Sequence, residues 1–346
     1  MADIAYRSLF LFFGYLTLIT SSSLLCCRTI YTRYGARQKN NDWAIPERRR
    51  QFWLFVLLAA LSLGSTWYYM INLFFYSYRT WATSIVGLPY SGVETPLLTR
   101  MGLWLKNTKI FQEAWETVSE NPFRVWWSGQ IFGWTIGWSL LLGITGRRYH
   151  IPHVWVYMFV AQAVSVSFAA NLFFAAITVS PRPNEREIRF SWYPPLLYEL
   201  LPVALSILDS LAVPIYAYQK RFMLVLLAPH FLVFIPCVLG PRSSSVKPIK
   251  AQGDYTTQRY AVFMLWVAAA SVVLQAYFTI LVLRELGTDM PYTEVAQRLL
   301  DTVYVHPACS SVSWDVIMCT ISGFAWALVH GLNASKMLGG RELVKR

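Results

Sequence analysis

The chain has 346 residues, of which 55% are hydrophobic and 14% charged. Soluble domains carry about 25% charged residues, so a soluble fold of this composition would expose large apolar patches. The formal net charge is +12, yet the basic residues lie in short segments between apolar blocks, and no nucleic-acid recognition motif is visible. These features exclude a soluble nucleic-acid-binding protein and predict an integral membrane protein whose basic loops face anionic lipid.

Eight apolar blocks predict a polytopic, all-α bundle of about eight spanning helices, forming one transmembrane domain over residues 1–346. Each block has close to the ~20 residues that a helix needs to cross about 30 Å of hydrocarbon, where open sheets cannot satisfy their backbone. In chain order the blocks cover residues 9–27, 52–76, 126–142, 154–179, 195–216, 222–239, 261–283 and 314–332.

The first block is followed by a basic stretch from Arg28 to Arg50 and preceded by a nearly neutral segment. A cleaved signal peptide has the opposite order of charge. We therefore expect an uncleaved first helix with its N-terminus outside and the basic loop in the cytosol.

A long loop over residues 77–124 separates the second and third blocks. Within it, residues 97–118 alternate apolar and charged side chains at helical spacing. This pattern predicts an amphipathic helix that lies on the membrane or caps the bundle. Glu116 on this segment is a candidate carboxyl, although a solvated position is the ordinary expectation for it.

Ionisable residues inside apolar blocks are expensive and therefore candidates for function. The fifth block holds Glu199 near one end and Asp209 in the middle, the deepest carboxyl by position, with Ser206 on the same helical face. The alternative for both is a structural bond to a neighbouring helix.

The sequence Ser313-Trp314-Asp315 is expected to open the last helix, with Asp315 in its first turn, where a carboxylate complements the helix dipole. A polar and aromatic stripe then continues along one face, which should point into the bundle. Its members are Asp315, Cys319, Ser322, Trp326 and His330.

The third block carries a similar stripe of Trp127, Gln130, Trp134 and Trp138. Buried amides and indole N–H groups need partners, so the stripe indicates a binding surface. Asn171 in the fourth block is another buried amide, for which interhelical hydrogen bonding is the alternative.

Metal-binding and phosphate-binding motifs such as N-D-x-x-D, H-E-x-x-H and Gly-rich loops are absent from the sequence. What remains is a set of sparse carboxyls and many aromatic faces in an apolar bundle. A buried carboxylic acid can protonate a lipophilic substrate, and aromatic faces stabilise the cation that forms. The composition thus favours cation chemistry without a metal or redox cofactor.

Trp126-Trp127-x-x-Gln130, the Ser313-Trp314-Asp315 sequence, and the length and hydropathy of the chain resemble fungal membrane-bound terpene cyclases of meroterpenoid pathways, in particular the longer ascofuranone-type enzymes. The resemblance extends loosely over most of the chain. It implies protonation of a terminal epoxide on a prenylated aromatic compound and ring closure without metal or redox cofactor.

Residue chemistry, rather than this resemblance, supplies the candidate site. Asp209 or Asp315 is the expected acid, and a second carboxylate or a substrate hydroxyl ends the reaction. The remaining candidate carboxyls are Glu199 and Glu116, and the expected substrate-binding residues are Trp127, Gln130, Trp134, Trp138, Asn171, Trp326 and His330.

The expected partners are a prenylated or terpenoid small molecule and membrane lipids, with no nucleic acid, and the expected location is the endoplasmic reticulum. Three alternatives stay open: a carrier or receptor for a lipophilic molecule, a sterol-isomerase-like enzyme, and a non-catalytic membrane scaffold.

Overall fold

The computed structural model describes residues 5–38, 45–86, 95–181, 196–238, 252–287 and 290–339, and every regular element in these ranges is helical. The predicted all-α fold class is thus confirmed. In chain order the helices are α1 (Tyr6–Gln38), α2 (Pro46–Ser84), α3 (Leu97–Asn107), α4 (Ile110–Val118), α5 (Pro122–Arg148), α6 (Val154–Ala163), α7 (Val166–Thr178), α8 (Leu196–Ala212), a 3-10 turn (Val213–Tyr216), α9 (Phe222–Leu232), α10 (Ile235–Val238), α11 (Gln252–Leu286), α12 (Tyr292–Thr302), α13 (Pro307–Val329) and α14 (Ala334–Met337).

Five helical segments among the described residues are long and apolar enough to cross a membrane, so the predicted count of about eight is not confirmed. They are Tyr6–Gln38, Pro46–Ser84, Leu197–Tyr216, Gln258–Leu286 and Pro307–Val329. Five apolar helices are compatible with a multi-pass membrane protein. The third block forms α5, a long and largely buried helix outside these five, and the fourth and sixth blocks are broken into shorter helices.

The fourth block breaks between α6 and α7. Val164 is the C-terminal capping residue of α6, and Ser165 is extended (φ −174°, ψ 136°), with its hydroxyl accepting the N–H of Phe168 at 3.2 Å. The two helices that result have 10 and 13 residues. At about 1.5 Å per residue, neither is long enough to cross the hydrocarbon. The break also places the N-terminus of α7 inside the bundle.

The sixth block is interrupted between α9 and α10. The short α10 carries Pro236 in its first turn, where a missing N–H costs no helical hydrogen bond. This proline packs closely on α5, because a Cβ built on Gly143 would lie 2.4 Å from the Pro236 carbonyl oxygen. Only glycine therefore permits this approach of the two helices.

The amphipathic segment forms two helices, α3 and α4, rather than one. Thr108 is extended and separates them. Trp104 of α3 is buried and donates its indole N–H to Ser77 Oγ at 3.1 Å. α3 packs against α1, and α4 packs against α5 and α13. Of the two predicted arrangements, on the membrane or against the bundle, the segment therefore has the second.

The innermost helix is α7, in which every residue is buried. It packs against α2 on one side and α13 on the other. Asn171 at its middle joins all three, donating through Nδ2 to Ser62 Oγ at 3.1 Å and to Ser322 Oγ at 2.7 Å. A helix without a solvent-facing side needs such internal partners for every polar side chain.

Two arginines of the first basic stretch bind the protein rather than lipid headgroups. Arg33 donates to the carbonyls of Tyr149 and His150, beyond the end of α5. Arg37 is buried and donates to the Val179 carbonyl at 2.9 Å, at the end of α7. Cations are favourable at helix C-termini, whose last carbonyls lack intrahelical partners.

His306 begins α13 as its capping residue, and its Nδ1 accepts the N–H of Ala308 at 3.2 Å. Burial, followed by the charge of Arg124, lowers the pKa of His306. The folded protein therefore holds a proton here less tightly than the unfolded chain, whose histidines titrate near 6.5. The stabilisation is complete above about pH 6.5 and is lost as the pH falls below it.

We expect the melting temperature of the purified protein to fall between pH 7.5 and pH 5.5, and His306→Asn to reduce that fall. Asparagine keeps a capping oxygen but does not titrate. Thermal unfolding in detergent at both pH values measures the difference. An identical pH dependence in the two proteins would contradict the assignment to His306.

Candidate functional site

A cavity of about 160 Å³ lies among α1, α2, α4, α5, α9, α13 and the break between α6 and α7. We name it the acid cavity, because Asp315 is the only carboxyl among the described residues that line it. Its lining includes His230, Gln162 and four aromatic side chains, which are Tyr15, Phe111, Trp115 and Phe132.

Asp315 caps the N-terminus of α7. Its Oδ1 accepts the Ser165 hydroxyl at 2.8 Å and the Ser167 N–H at 2.9 Å, while its Oδ2 accepts the Val166 N–H at 2.9 Å. The first N–H groups of a helix lack intrahelical partners and carry partial positive charge. Asp315 of α13 therefore supplies hydrogen-bond acceptors for the N–H groups that the break in the fourth block leaves without partners.

The prediction that Asp315 lies in the first turn of its own helix is wrong. The helix begins at Pro307, which fits the first position because its missing N–H costs nothing there. Asp315 lies two turns further along, so it complements the dipole of α7 instead of that of α13. The predicted stripe itself is confirmed for Asp315, Cys319, Ser322 and Trp326, which are all buried, whereas His330 is half-buried.

One acceptor position of the Asp315 carboxyl stays open. Each carboxylate oxygen has about two lone-pair sites. Oδ1 accepts the Ser165 hydroxyl and the Ser167 N–H, with the Cys319 thiol at 3.9 Å, whereas among the described residues Oδ2 accepts only the Val166 N–H. Oδ2 can therefore hold a proton while the cap stays in place.

His230 presents a second acceptor to the acid cavity. Its Nδ1 lies 2.7 Å from the Leu226 carbonyl oxygen. Since a carbonyl only accepts, Nδ1 carries the hydrogen, and Nε2 of the neutral ring is an acceptor. The ring stands edge to face with Trp115 (5.4 Å) and Phe132 (5.9 Å).

His230 is not among the candidate site residues that the sequence predicts, because a single histidine in an apolar block carries no spacing signal. Pro229 and Pro236 indicate that the block is interrupted, but they do not indicate that the His230 ring meets Trp115 of α4 and Phe132 of α5.

A second, larger cavity of about 490 Å³ lies between α5, α7, α11, α13 and α14. We name it the indole groove, after Trp134, Trp138 and Trp326 in its walls. Gln130 and Phe174 also line it, and Phe174 stacks on Trp326 with ring centroids 4.3 Å apart. Four of the seven predicted substrate-binding residues are thus brought together here.

The two cavities adjoin. Val166, the first residue of α7, lines both. Cys319 lines the indole groove, and its Sγ lies 3.9 Å from Asp315 Oδ1, one turn away on α13. The acid cavity and the indole groove therefore meet at the first turn of α7, beside Asp315.

The other three predicted binding residues line neither cavity. Trp127 donates its indole N–H to the Leu299 carbonyl at 2.8 Å. Asn171 joins three helices, as described above. His330 Nδ1 lies 2.8 Å from the Trp326 carbonyl, and its ring lies 4.1 Å from the Trp326 ring. Trp127 and Asn171 hold helices together, whereas His330 packs behind the wall of the groove.

The remaining candidate carboxyls also lie outside both cavities. Glu199 is fully buried, forms an ion pair with Arg147 and accepts the Tyr260 hydroxyl. Asp209 is half-buried, so that Glu199 and Asp315 are the more deeply enclosed carboxyls. Glu116 accepts the side-chain amide of Gln112 at 2.8 Å.

Comparison with known proteins gives no match to any protein family, curated protein or solved structure. The function is therefore inferred from the two cavities themselves.

We expect Glu199→Gln to lower the free energy of unfolding by about 3 kcal/mol, because it leaves the Arg147 guanidinium without its buried countercharge. The matched control is Glu294→Gln, which removes an exposed pair with Arg298 and should cost less than about 1 kcal/mol. Thermal unfolding in detergent compares the two. Equal shifts in melting temperature would show that the buried Glu199–Arg147 pair stabilises the protein no more than an exposed pair does.

Proposed function

We propose that this protein is a membrane-embedded terpene cyclase that protonates an epoxide on a prenylated aromatic compound and closes a ring. The observation that carries the proposal is the position of Asp315. It is a buried carboxyl with one open acceptor site, in a cavity that is also lined by aromatic rings and by the His230 imidazole. The resemblance to fungal membrane-bound terpene cyclases supports the same reaction, and an internal membrane such as the endoplasmic reticulum is the proposed location.

Asp315 acts as the general acid. The proton on Oδ2 moves to the epoxide oxygen, the C–O bond to the more substituted carbon breaks, and a carbocation forms on the substrate. A double bond or hydroxyl of the substrate supplies the electron pair that closes the ring. The three donors at the α7 N-terminus stabilise the carboxylate left behind, as preorganised dipoles do in acid catalysis.

The aromatic wall stabilises the cation. Trp115 and Phe132 line the acid cavity, and the quadrupoles of aromatic rings attract positive charge. Tyr15 donates its hydroxyl to the Ala163 carbonyl at 2.6 Å, so its polar end is engaged by the protein while its ring lines the cavity. These residues, rather than the predicted tryptophans, stabilise the cation in the proposed reaction, because Trp134, Trp138 and Trp326 line the groove and Trp127 lines neither cavity.

His230 takes the last proton. Its Nε2 accepts the proton that the cyclised cation or a captured hydroxyl must lose, and the product has the same mass as the substrate. Return of a proton to Asp315 completes the cycle. No metal or redox step is part of this scheme.

We expect Asp315→Asn to abolish cyclisation, because an amide cannot deliver the proton. Asp209→Asn should retain activity, because that carboxyl lines neither cavity. Microsomes containing each variant are incubated with prenylated phenol epoxides, and products of unchanged mass are separated by chromatography. Activity that survives Asp315→Asn, or that disappears only in Asp209→Asn, would contradict the assignment.

Loss of the α7 cap could itself disturb folding, so Asp315→Glu provides a second variant. Glutamate keeps an acid but displaces it by one methylene, and catalysis is sensitive to displacements of about 1 Å. We expect a folded protein with strongly reduced turnover. Wild-type turnover in this variant would argue against a positioned acid.

His230→Gln should lower kcat by about 100-fold, the smaller end of the effect of losing a general base. His330→Gln is the matched control, because His330 lies outside the acid cavity, and it should change kcat little. Turnover is measured with the same substrate and with the amount of folded protein determined by size-exclusion chromatography. Equal effects of the two substitutions would show that His230 is not the proton acceptor.

A further inference from the structure

The acid cavity is too small for a whole prenylated substrate. At about 160 Å³ it is close to the ~150 Å³ cavity that accommodates a benzene ring. It can take the reacting end of a molecule, and the rest must lie elsewhere. The adjoining indole groove has about 490 Å³, within the range of about 300–1,000 Å³ found for small-molecule sites.

The indole groove is long. Its lining along α5 runs from Gly129 to Leu141, which is about 18 Å at 1.5 Å per residue. Gly133 and Gly137 form part of its floor, and a Cβ at Gly137 would be 4.0 Å from its nearest neighbour, Val267. Backbone, rather than side chains, therefore forms the bottom of a trough beside α11.

The side wall is fixed by close packing. A Cβ built on Gly323 of α13 would come within 2.7 Å of the Trp134 ring. The indole thus lies directly on the backbone of α13, where no larger residue fits. This contact fixes the position of the Trp134 ring in the wall of the groove.

The side-chain amides and hydroxyls of the groove are engaged with the protein itself. Gln130 and Gln275 both donate to the Trp126 carbonyl, at 2.9 and 3.4 Å. Ser271 donates to the Val267 carbonyl at 3.0 Å, and Ser322 accepts the amide of Asn171. The indole N–H groups of Trp138 and Trp326 have no partner among the described residues. The rest of the lining is apolar or aromatic, so a mainly hydrocarbon ligand is the chemistry that fits.

One side of the groove reaches the surface of α11, where Leu265 and Val272 are 60% and 68% exposed. This helix is one of the five segments able to cross a membrane, so such residues face lipid. The other side adjoins Asp315 through Cys319. The groove therefore connects the bilayer with the neighbourhood of the acid.

We propose that the indole groove binds the linear isoprenoid tail of the substrate, which enters sideways from the bilayer. The tail lies along α5, and its reactive end extends past Val166 into the acid cavity, where Asp315 lies. This inference rests on the proposed function, and it adds a binding site with its own ligand chemistry and a route of entry.

Binding of radiolabelled farnesol to the purified protein in phosphatidylcholine nanodiscs tests the inference without turnover. Both Ala268 and the neighbouring Ala269 have exposed side chains, but only Ala268 lines the groove. Ala268→Phe should fill the groove and weaken farnesol binding at least about tenfold, a loss of about 1.4 kcal/mol. Ala269→Phe adds the same side chain to the adjacent position of the same helix and should leave binding unchanged.

Gly137→Leu fills the trough from its floor on α5, whereas Ala268→Phe fills it from α11. Both substitutions should weaken farnesol binding. Unchanged binding in Ala268→Phe and Gly137→Leu, or equal loss in Ala269→Phe, overturns the inference. Hexadecanol is the second probe. Binding of this unbranched chain as tight as that of farnesol would mark a general lipid-chain site and overturn the isoprenoid assignment.

Asp315→Asn separates this inference from the proposed function. It should abolish turnover and leave farnesol binding intact, because Asp315 does not line the groove. If no variant or substrate reveals cyclisation while the Ala268 and Ala269 variants bind farnesol as expected, the reaction is wrong and the binding site stands. If turnover depends on Asp315 but farnesol does not bind, the groove assignment alone fails.

Discussion

The hydrogen bonds between Asp315 and the N-terminus of α7 are the interaction on which the rest of the bundle depends. A helix that begins inside an apolar protein leaves N–H groups without partners, and each unpaired buried group costs free energy. Asp315 and Ser165 satisfy these groups from two different elements. The short helix α7 can then lie entirely inside, between α2 and α13, and both cavities form beside its first turn.

The same interaction gives the carboxyl two roles that support each other. As a cap, it is held in one position by three donors and has little freedom to turn away. In the proposed reaction, it becomes negatively charged when the proton leaves, and the donors and the helix dipole are already oriented toward that charge. Enzymes gain most from dipoles that need no rearrangement during the reaction. The broken helix thus requires, for structural reasons, the same positioned carboxyl that the proposed reaction uses as its acid.

Much of this architecture follows from the sequence. Helical structure and the buried faces of α5 and α13 are visible as apolar blocks and as stripes at helical spacing, and Trp134, Trp138 and Trp326 do line one cavity. The spacing of a stripe fixes which face of a helix is buried, because it depends only on the geometry of that helix. It does not fix which other helix meets that face.

The features that sequence reasoning missed all depend on such contacts. The break at Val164 and Ser165 lies within a mostly apolar run with neither glycine nor proline. The N–H groups that it leaves without helical partners are bound by Asp315, about 150 positions later. Glu199, which the sequence predicts as a candidate catalytic carboxyl, is held in an ion pair with Arg147 at the end of α5. Block lengths counted along the chain therefore overstate the number of helices able to cross the membrane.

The division of the interior into two cavities matches the chemical asymmetry of a prenylated epoxide. In the groove, the side-chain amides and hydroxyls bond to the protein, which leaves a mainly apolar trough suited to a hydrocarbon tail. In the acid cavity, the proton that the proposed reaction places on Asp315 Oδ2 can be donated to an epoxide oxygen. The proposed substrate therefore has its lowest free energy with the oxygen toward Asp315 and the tail in the groove. The orientation of the proposed substrate then follows from the position of the Asp315 carboxyl at one end of a mainly apolar groove.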